Sequence, residues 1–272
     1  MSAALQANEP PPPVLRGGEG AVAVLTLDRP ASRNSLSRAM LAALSNELAA
    51  IAADDGVRAV VLAANGPAFS AGHDLKELTA HRADPDGGEA FFRECMAACA
   101  AVMQAVAGLP QPVVAAVEGI ATAAGCQLVA TCDLAVAGDT AKFATPGVDI
   151  GLFCSTPAVA LSRAVARKPA MEMLLLGEMV PAEEARRIGL VNRVVPAGQA
   201  FAAAMDLAQR IASRSAVAVR MGKRAFNRQL GLPLPDAYEA AGAVMVENLL
   251  AEDAAEGIGA FIGKRQPVWR HR

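Results

Sequence analysis

Short runs of valine, alanine and leucine alternate along this chain with longer stretches in which apolar residues return every three or four positions. AVAVLTL (21–27), VRAVVLAA (57–64), PVVAAV (112–117) and LAVAG (134–138) are the short runs, and they predict buried strands. Helical patterns lie between them. Ser37 is placed to cap the first, with Met40, Leu41, Leu44, Leu48 and Ile51 along one face. The second runs from about 89 to 107, with Phe92, Cys95, Cys99, Met103 and Val106 as its stripe. Strands alternating with helices predict an α/β core.

From about Ser155 the strand signal fades. Short helices are expected there, broken at Pro169, Pro181, Pro196 and Pro233 and interrupted by one strand in LVNRVV (190–195). No Gly/Ser-rich linker divides the chain. The expected organisation is therefore a Pro-rich disordered tail (1–13), an α/β core (14–200) and a helical C-terminal region (201–272) within one functional unit.

Composition removes several function classes. Apolar residues make up 53% of the chain, enough for a sizeable core, and 25 basic against 27 acidic residues leave no polyanion-binding face. Nucleic acid is therefore not an expected partner. The stretch 95–117 carries no charge, but Gly108, Pro110 and Pro112 divide it, which predicts a helix followed by a buried strand in place of a membrane span. Five cysteines without a CxxC pair suggest reduced thiols in an intracellular, cytoplasmic protein. The N-terminus has neither the basic nor the apolar region of a secretory signal.

Two loops could carry chemistry. NGPAFSAGHDLKEL (65–78) follows a buried strand, and Asp74 is a good N-cap for the helix beginning at LKEL. Residues 70–73 then form a turn whose backbone N–H groups face outward at the C-terminal end of a strand, where ligands sit in open α/β folds. EGIATAAGCQ (118–127) also links a buried strand to a helix. Its small residues permit either close packing or close approach of a ligand to unpaired helix N–H donors.

The chain resembles the crotonase superfamily, the enoyl-CoA hydratase/isomerase family. LDRPASRNSLS (27–37), VLAANGPAFSAGHDLKEL (61–78), PVVAAVEGIATAAGCQLVATCDLAVAG (112–138), AKFATPGVDIGL (141–152) and GLVNRVV (189–195) match its segments in order. The resemblance implies a spiral of ββα turns with a helical C-terminal trimerisation region, assembled as a trimer or hexamer. It also implies an acyl-CoA substrate, with coenzyme A part of that substrate and no separate cofactor. The oxyanion hole would be the backbone N–H groups of His73 and Ala124, where the family usually has glycine at the second position. Ser70 and Ala71 would lie against the substrate. Phe261 and Lys264 would reach a neighbouring subunit's CoA, with Arg33 and Lys76 as further candidates.

The pattern breaks at the acid/base groups. The two glutamates that activate water in family hydratases correspond here to Gln127 and Gly147. An amide takes up no proton at neutral pH and glycine has no side chain, yet a general base contributes about 10²- to 10⁴-fold. Asp149 is a candidate substitute, or else a helix cap or solvated charge. Cys154 and Ser155 follow the same segment, as packing or capping groups or else as catalytic ones. The His73 imidazole could meet the ligand or have no chemical role, and His81 and His271 sit in polar contexts with no metal site apparent. Residues 143–163 resemble the enoyl-CoA hydratase domain-containing branch, which also lacks the glutamates. Three functions remain open: an enolate-forming enzyme with altered acid/base groups, a non-catalytic acyl-CoA binder, and a hydratase with a relocated carboxylate.

Overall fold

The computed structural model describes residues 11–272, in which a single spiral path winds two sheets. β1 (Val14–Glu19) and β2 (Val22–Leu27) form an antiparallel hairpin. β3 (Ala59–Ala64), β5 (Val113–Val117), β7 (Leu134–Gly138) and β10 (Arg193–Val195) extend it in parallel, in the order β1-β2-β3-β5-β7-β10. The second sheet runs β4 (Ala68–Ser70), β6 (Ile120–Thr122), β8 (Lys142–Ala144), β9 (Val180–Pro181). Each turn lays one strand in each sheet before helices return the chain. β3 and β4 lead to α2 (Leu75–Ala80) and α3 (Glu89–Gly108), and β5 and β6 lead to α4 (Ala124–Thr131). β7 and β8 lead to α5 (Ser155–Ala164) and α6 (Arg167–Leu176). This is the α/β crotonase-type spiral that the motifs imply.

The central strands read as unbroken apolar runs because both faces of the first sheet are covered. On β3, Val60 and Leu62 join the larger core with α1 (Arg38–Ala52), α3 and α4, while Ala59, Val61 and Ala63 face the other way. That second face is closed by α8 (Ala200–Ala212), whose Ala200, Ala204 and Ala208 are small enough to let the helix lie close on the sheet. α8 thus begins at the expected boundary between the core (14–200) and the helical region (201–272). In α1, Ser37 caps the helix by accepting from Met40 N, and Met40, Leu41, Leu44, Leu48 and Ile51 are its buried residues.

α3 is long and apolar enough to cross a membrane by length and composition alone. Its Cys95, Cys99, Val102, Met103 and Val106 are instead buried in the core and β5 follows it, the helix-then-strand division expected of residues 95–117. Phe92, placed on the buried stripe, is only partly covered. Pro169 does not break a helix. It is the third residue of α6, where its missing N–H would have no intrahelical partner, and the break falls at Val165 and Ala166. In 190–195 only Arg193–Val195 is strand.

After α7 (Ala182–Arg187), β10 and α8 come α9 (Ala216–Gln229), α10 (Leu234–Leu249) and α11 (Glu252–Ile262). Lys223 fastens α9 to the core. Its side chain is 7% exposed and Nζ donates to Asp133 Oδ2 at 2.7 Å and to the carbonyls of Val106 and Gln111 at 3.2 Å. Residues 1–10 of the expected tail lie outside the described residues. The Pro13 carbonyl accepts from Asp28 N at 2.8 Å, and Arg29 donates to the carbonyls of Pro11 and Pro12.

Candidate functional site

The turn after β4 is held by the segment after β2. Arg33 and Asn34 both adopt left-handed backbone, φ 53° and 51°. This turns the Asn34 side chain inward, where it is fully buried. Its amide donates to the carbonyls of Asn65 (2.9 Å) and Ala68 (2.8 Å), and its oxygen accepts from Arg29 N (2.7 Å). Ser70 Oγ donates to the Asn34 carbonyl at 2.8 Å, Ala71 N to the Arg33 carbonyl at 3.0 Å, and Leu36 N to the Gly72 carbonyl at 2.7 Å. Ser70 is buried and its hydroxyl is committed to this clamp.

Asp74 caps α2, accepting from Lys76 N at 3.0 Å and Glu77 N at 3.2 Å, and from Ser35 Oγ at 3.0 Å. Burial pushes its carboxyl up, but these hydrogen bonds and the Lys76 charge outweigh that and hold it below its usual value.

The second loop lies directly against this turn. Gly72 has φ +88°, and a Cβ there would fall 2.8 Å from the Ala123 Cβ and 3.1 Å from the Ala124 nitrogen. A Cβ on Gly125 would strike the Ser70 carbonyl. Glycine at both positions therefore lets two backbones touch. Ala123 takes φ 49°, ψ −119°, a strained conformation for a residue with a Cβ. Its N–H donates to the Ala144 carbonyl at 2.9 Å and its carbonyl accepts from Gln127 N at 3.0 Å. α4 begins at the next residue, so Ala124 N–H belongs to the first turn and has no intrahelical acceptor. Among the described residues, neither Ala124 N–H nor His73 N–H has an acceptor.

Gln127 lies one turn into α4. It is 4% exposed and its Oε1 has no hydrogen-bond partner among the described residues. The His73 ring is largely covered, its Nε2 also has no partner, and burial pushes its pKa below the usual histidine value.

Gly147, expected from the resemblance to stand at the other glutamate position, has no room for a side chain. Gly147 is buried in the 3-10 turn Pro146–Ile150, and a Cβ there would lie 2.5 Å from the Leu152 carbonyl oxygen and 2.8 Å from Cys154 Sγ. The returning chain, tied by Leu152 N to the Gly147 carbonyl at 2.8 Å, fills the space a side chain would need. Asp149 occupies an exposed corner of that turn, with Oδ1 3.3 Å from where a Gly177 Cβ would be, beside the end of α6. It makes no hydrogen bond with His73, Ala124 or Gln127.

Burial, reinforced by Cys154, pushes Cys126 up to about 12, and burial likewise raises Cys154, so neither is a thiolate nucleophile at neutral pH. Ser155 begins α5, exposed, with Oγ donating to the Phe153 carbonyl at 3.4 Å.

The remaining candidates lie apart. Lys76 is exposed on α2. Phe261 is 85% exposed near the end of α11, and Lys264 follows it at φ 49°. His81 is engaged by Asp84 at 2.7 Å and stacks on Phe91, and His271 Nδ1 accepts from Ala216 N at 3.2 Å. Among the described residues no three His, Cys, Asp or Glu side chains gather as metal ligands. Surface grooves open beside Phe92 and Met96 of α3 and between α6 and β9, and neither is lined by His73, Ala124 or Gln127.

Two contributors were not foreseen. Asn34 is one, although a polar residue within the quoted LDRPASRNSLS motif was a signal. Glu118 is the other: it opens EGIATAAGCQ, yet its carboxylate accepts from Ala200 N at 2.9 Å and so caps α8.

The sequence model of the family described as enoyl-CoA hydratase/isomerase matches residues 17–272. Enoyl-CoA hydratase domain-containing protein 3, mitochondrial, of Rattus norvegicus is 49% identical over 247 residues, covering 91% of this chain and 81% of the relative. A crystal structure of enoyl-CoA hydratase from Mycobacterium smegmatis superposes with TM-score 0.90 at 50% identity, covering 95% of this chain and 99% of that one. The crystal structure of human enoyl Coenzyme A hydratase domain-containing protein 3 gives TM-score 0.89 at 46% identity, covering 94% and 100%. The rat relative is named as mitochondrial, which conflicts with a plain cytoplasmic expectation.

Proposed function

The chain belongs to the enoyl-CoA hydratase/isomerase family of the crotonase superfamily, and from that premise we propose that it binds an acyl-CoA thioester and stabilises its enolate through the N–H groups of His73 and Ala124. One observation supports this reading: Gly72, the residue before His73, rests against the Ala124 nitrogen, which puts the two loops in contact, and neither N–H has an acceptor among the described residues. The start of α4 adds partial positive charge. A single donor of this kind is worth about 10²- to 10³-fold in rate.

Addition of water by the usual route is weak on this reading. Gln127 cannot serve as acid or base, and the space at Gly147 is filled. The activity is enolate chemistry on the thioester, with Asp149 as the candidate relocated base. A non-catalytic acyl-CoA binder is the second reading, and the closed pocket at Gly147 favours it over a hydratase. Coenzyme A enters as part of the substrate.

Self-association into a trimer or hexamer belongs to the same proposal. α10 has no buried residue, although Tyr238, Met245, Val246 and Leu249 lie along it, and Leu250 and Phe261 are more than four-fifths exposed. In that assembly Phe261 and Lys264 contact a neighbouring subunit's CoA, while Arg33 and Lys76 serve the phosphates from nearer the site.

The test is incubation with crotonyl-CoA and butyryl-CoA in heavy water, followed by mass spectrometry. Deuterium uptake without hydration supports the enolate reading and directs attention to Asp149→Asn. Rapid hydration overturns the claim that both acids are lost in function. Unchanged thioesters that nevertheless bind favour the non-catalytic binder.

A further inference from the structure

Residues 265–272 fold back from α11 and close on the start of α9 as a strap. Its near part is held by Glu256, which accepts from Arg265 and from Val268 N. Its far part is held from both helices. On α11, the buried Asp253 accepts from Arg270 N at 2.7 Å and His271 N at 3.0 Å, and its own N–H donates to the Arg272 main-chain oxygen at 3.1 Å. On α9, His271 Nδ1 accepts from Ala216 N at 3.2 Å. Ala216 is the first residue of α9, so its N–H has no intrahelical acceptor and the imidazole supplies one. Ser215 caps the same turn, accepting from Ala218 N at 3.3 Å, and also hydrogen-bonds Asp253. The ring of His271 thus joins the starts of two helices.

We propose that His271 is a proton-operated latch: neutral, it takes the Ala216 N–H and closes residues 270–272 on α9 and α11, and protonated it lets them go. The device does not depend on the thioester reading. Only a ring nitrogen without a proton can accept, and imidazolium donates from both. A proton on Nδ1 therefore sets two N–H groups against each other at the positive end of α9. The charged neighbours mostly oppose that proton. Arg58, just before β3, and Arg220 of α9 face the ring, against Asp253 of α11. Arg220 is engaged by Asp55 at 2.9 Å and Arg58 by the Ala212 carbonyl at 3.3 Å, while Arg270 and Arg272 lie toward Glu252 at 3.7 and 2.9 Å. Burial first, then Arg58, holds His271 below the usual histidine value; Asp253 pulls the other way and Arg220 adds to the lowering. A base lowered in the closed form favours closure in full above its ordinary value, about 6.5, and loses that effect as pH falls below it. The Glu256 contacts are separate, so the strap opens from its far end while residues 265–268 stay in place.

The experiment is hydrogen–deuterium exchange of the full-length protein at pH 7.5 and 5.5, read by mass spectrometry on peptides spanning 213–218 and 265–272. Rates are divided by those of the unfolded protein at the same pH, which removes the intrinsic effect of acid. The expected result is a fall in protection of about three- to tenfold at the start of α9 and at 270–272, tenfold being the limit that linkage sets one pH unit below the ordinary histidine value. Protection of α1 in the core should not change. The second protein is His271→Asn. Asparagine suits the left-handed backbone at this position, φ 62°, and its side-chain oxygen can accept from Ala216 N without titrating. It should therefore lose the pH step. Wild-type protection that is equal at the two pH values overturns the latch. So does a fall shared by α1, which would be global loosening, and so does the same step in His271→Asn, which would assign the proton to another group. The wild-type comparison decides the matter even where the variant holds the strap poorly.

Discussion

Restoring the family's second glutamate should fail for a steric reason measurable before any activity is assayed. A Cβ at position 147 meets the Leu152 carbonyl oxygen at 2.5 Å and Cys154 Sγ at 2.8 Å. Ordinary contact begins near 3.4 Å, so the Leu152 carbonyl has to retreat by about 0.9 Å even for alanine. It is not the loose end of a side chain, because Leu152 N is bonded back to the Gly147 carbonyl at 2.8 Å. Overpacking of a buried site costs about 1–3 kcal/mol, which lowers Tm by roughly 2–5 °C in a chain of this size. Gly147→Ala should therefore melt several degrees below wild type and Gly147→Glu lower still. Cys154→Gly relieves only the sulfur contact and should rescue little.

Gln127→Glu is the control, since it keeps the side-chain volume and displaces nothing. The assay is thermal unfolding by circular dichroism with hydration of crotonyl-CoA measured in parallel. A Gln127→Glu/Gly147→Glu protein with wild-type Tm and rapid hydration would refute the account, because it would show that the space at 147 was still open.

Three further outcomes follow from particular contacts. Lys223→Met should destabilise the chain by about 2–3 kcal/mol in urea, below the full value for a broken buried pair because Asp133 is 26% exposed; an unchanged midpoint would remove Lys223 as the fastening of α9. Asn34→Ala strips partners from Arg29 N, Asn65 O and Ala68 O and should cost about 2–4 kcal/mol, weakening thioester binding at temperatures where the protein stays folded; wild-type affinity and Tm together would refute the clamp. Acid should release residues 265–272. The Arg265 hydrogen bonds, with that from Val268 N, hold Glu256 down at about 2, and a depressed carboxylate supports the fold above its usual range and loses that effect as pH falls toward 2. Fluorescence of Trp269, the chain's one tryptophan, packed against Gly257, should change between about pH 4.5 and 2, and a Glu256→Gln protein retaining the same transition would contradict this.

How much could be read from sequence depended on how far apart the interacting parts lie. The central strands were legible because a strand covered on both faces announces itself as an apolar run, and α1 because its five buried residues share one stripe. β1 was not, since five of its six residues are exposed and its sequence, VLRGGE, has no apolar alternation. β4, β6 and β8 are three residues each, too short to show any period. Near the paired loops, the start of α2 and the start of α4 were legible from local chemistry: an N-cap aspartate at 74 and a run of small residues. The clamp by Asn34 was not, because its partners at 65 and 68 lie some thirty residues away. The filling of position 147 depends likewise on where residues 152–154 return.

The two positions that the resemblance matches to the family's glutamates therefore differ in kind. At 147 the volume itself has gone, taken by backbone and a thiol that burial keeps protonated, so a side chain returns only with a shift of the surrounding segment. At 127 the volume and the polar end remain, and only the ability to carry a proton is missing. A chain relieved of all ligand contact at 127 would gain by placing an apolar residue there, because an unpaired buried amide oxygen is costly. A chain still running ordinary hydration would need the acid. A glutamine with a bare oxygen meets neither description. On the proposed reading it belongs to a site that still receives a thioester, with charge stabilisation left to the backbone N–H groups of His73 and Ala124.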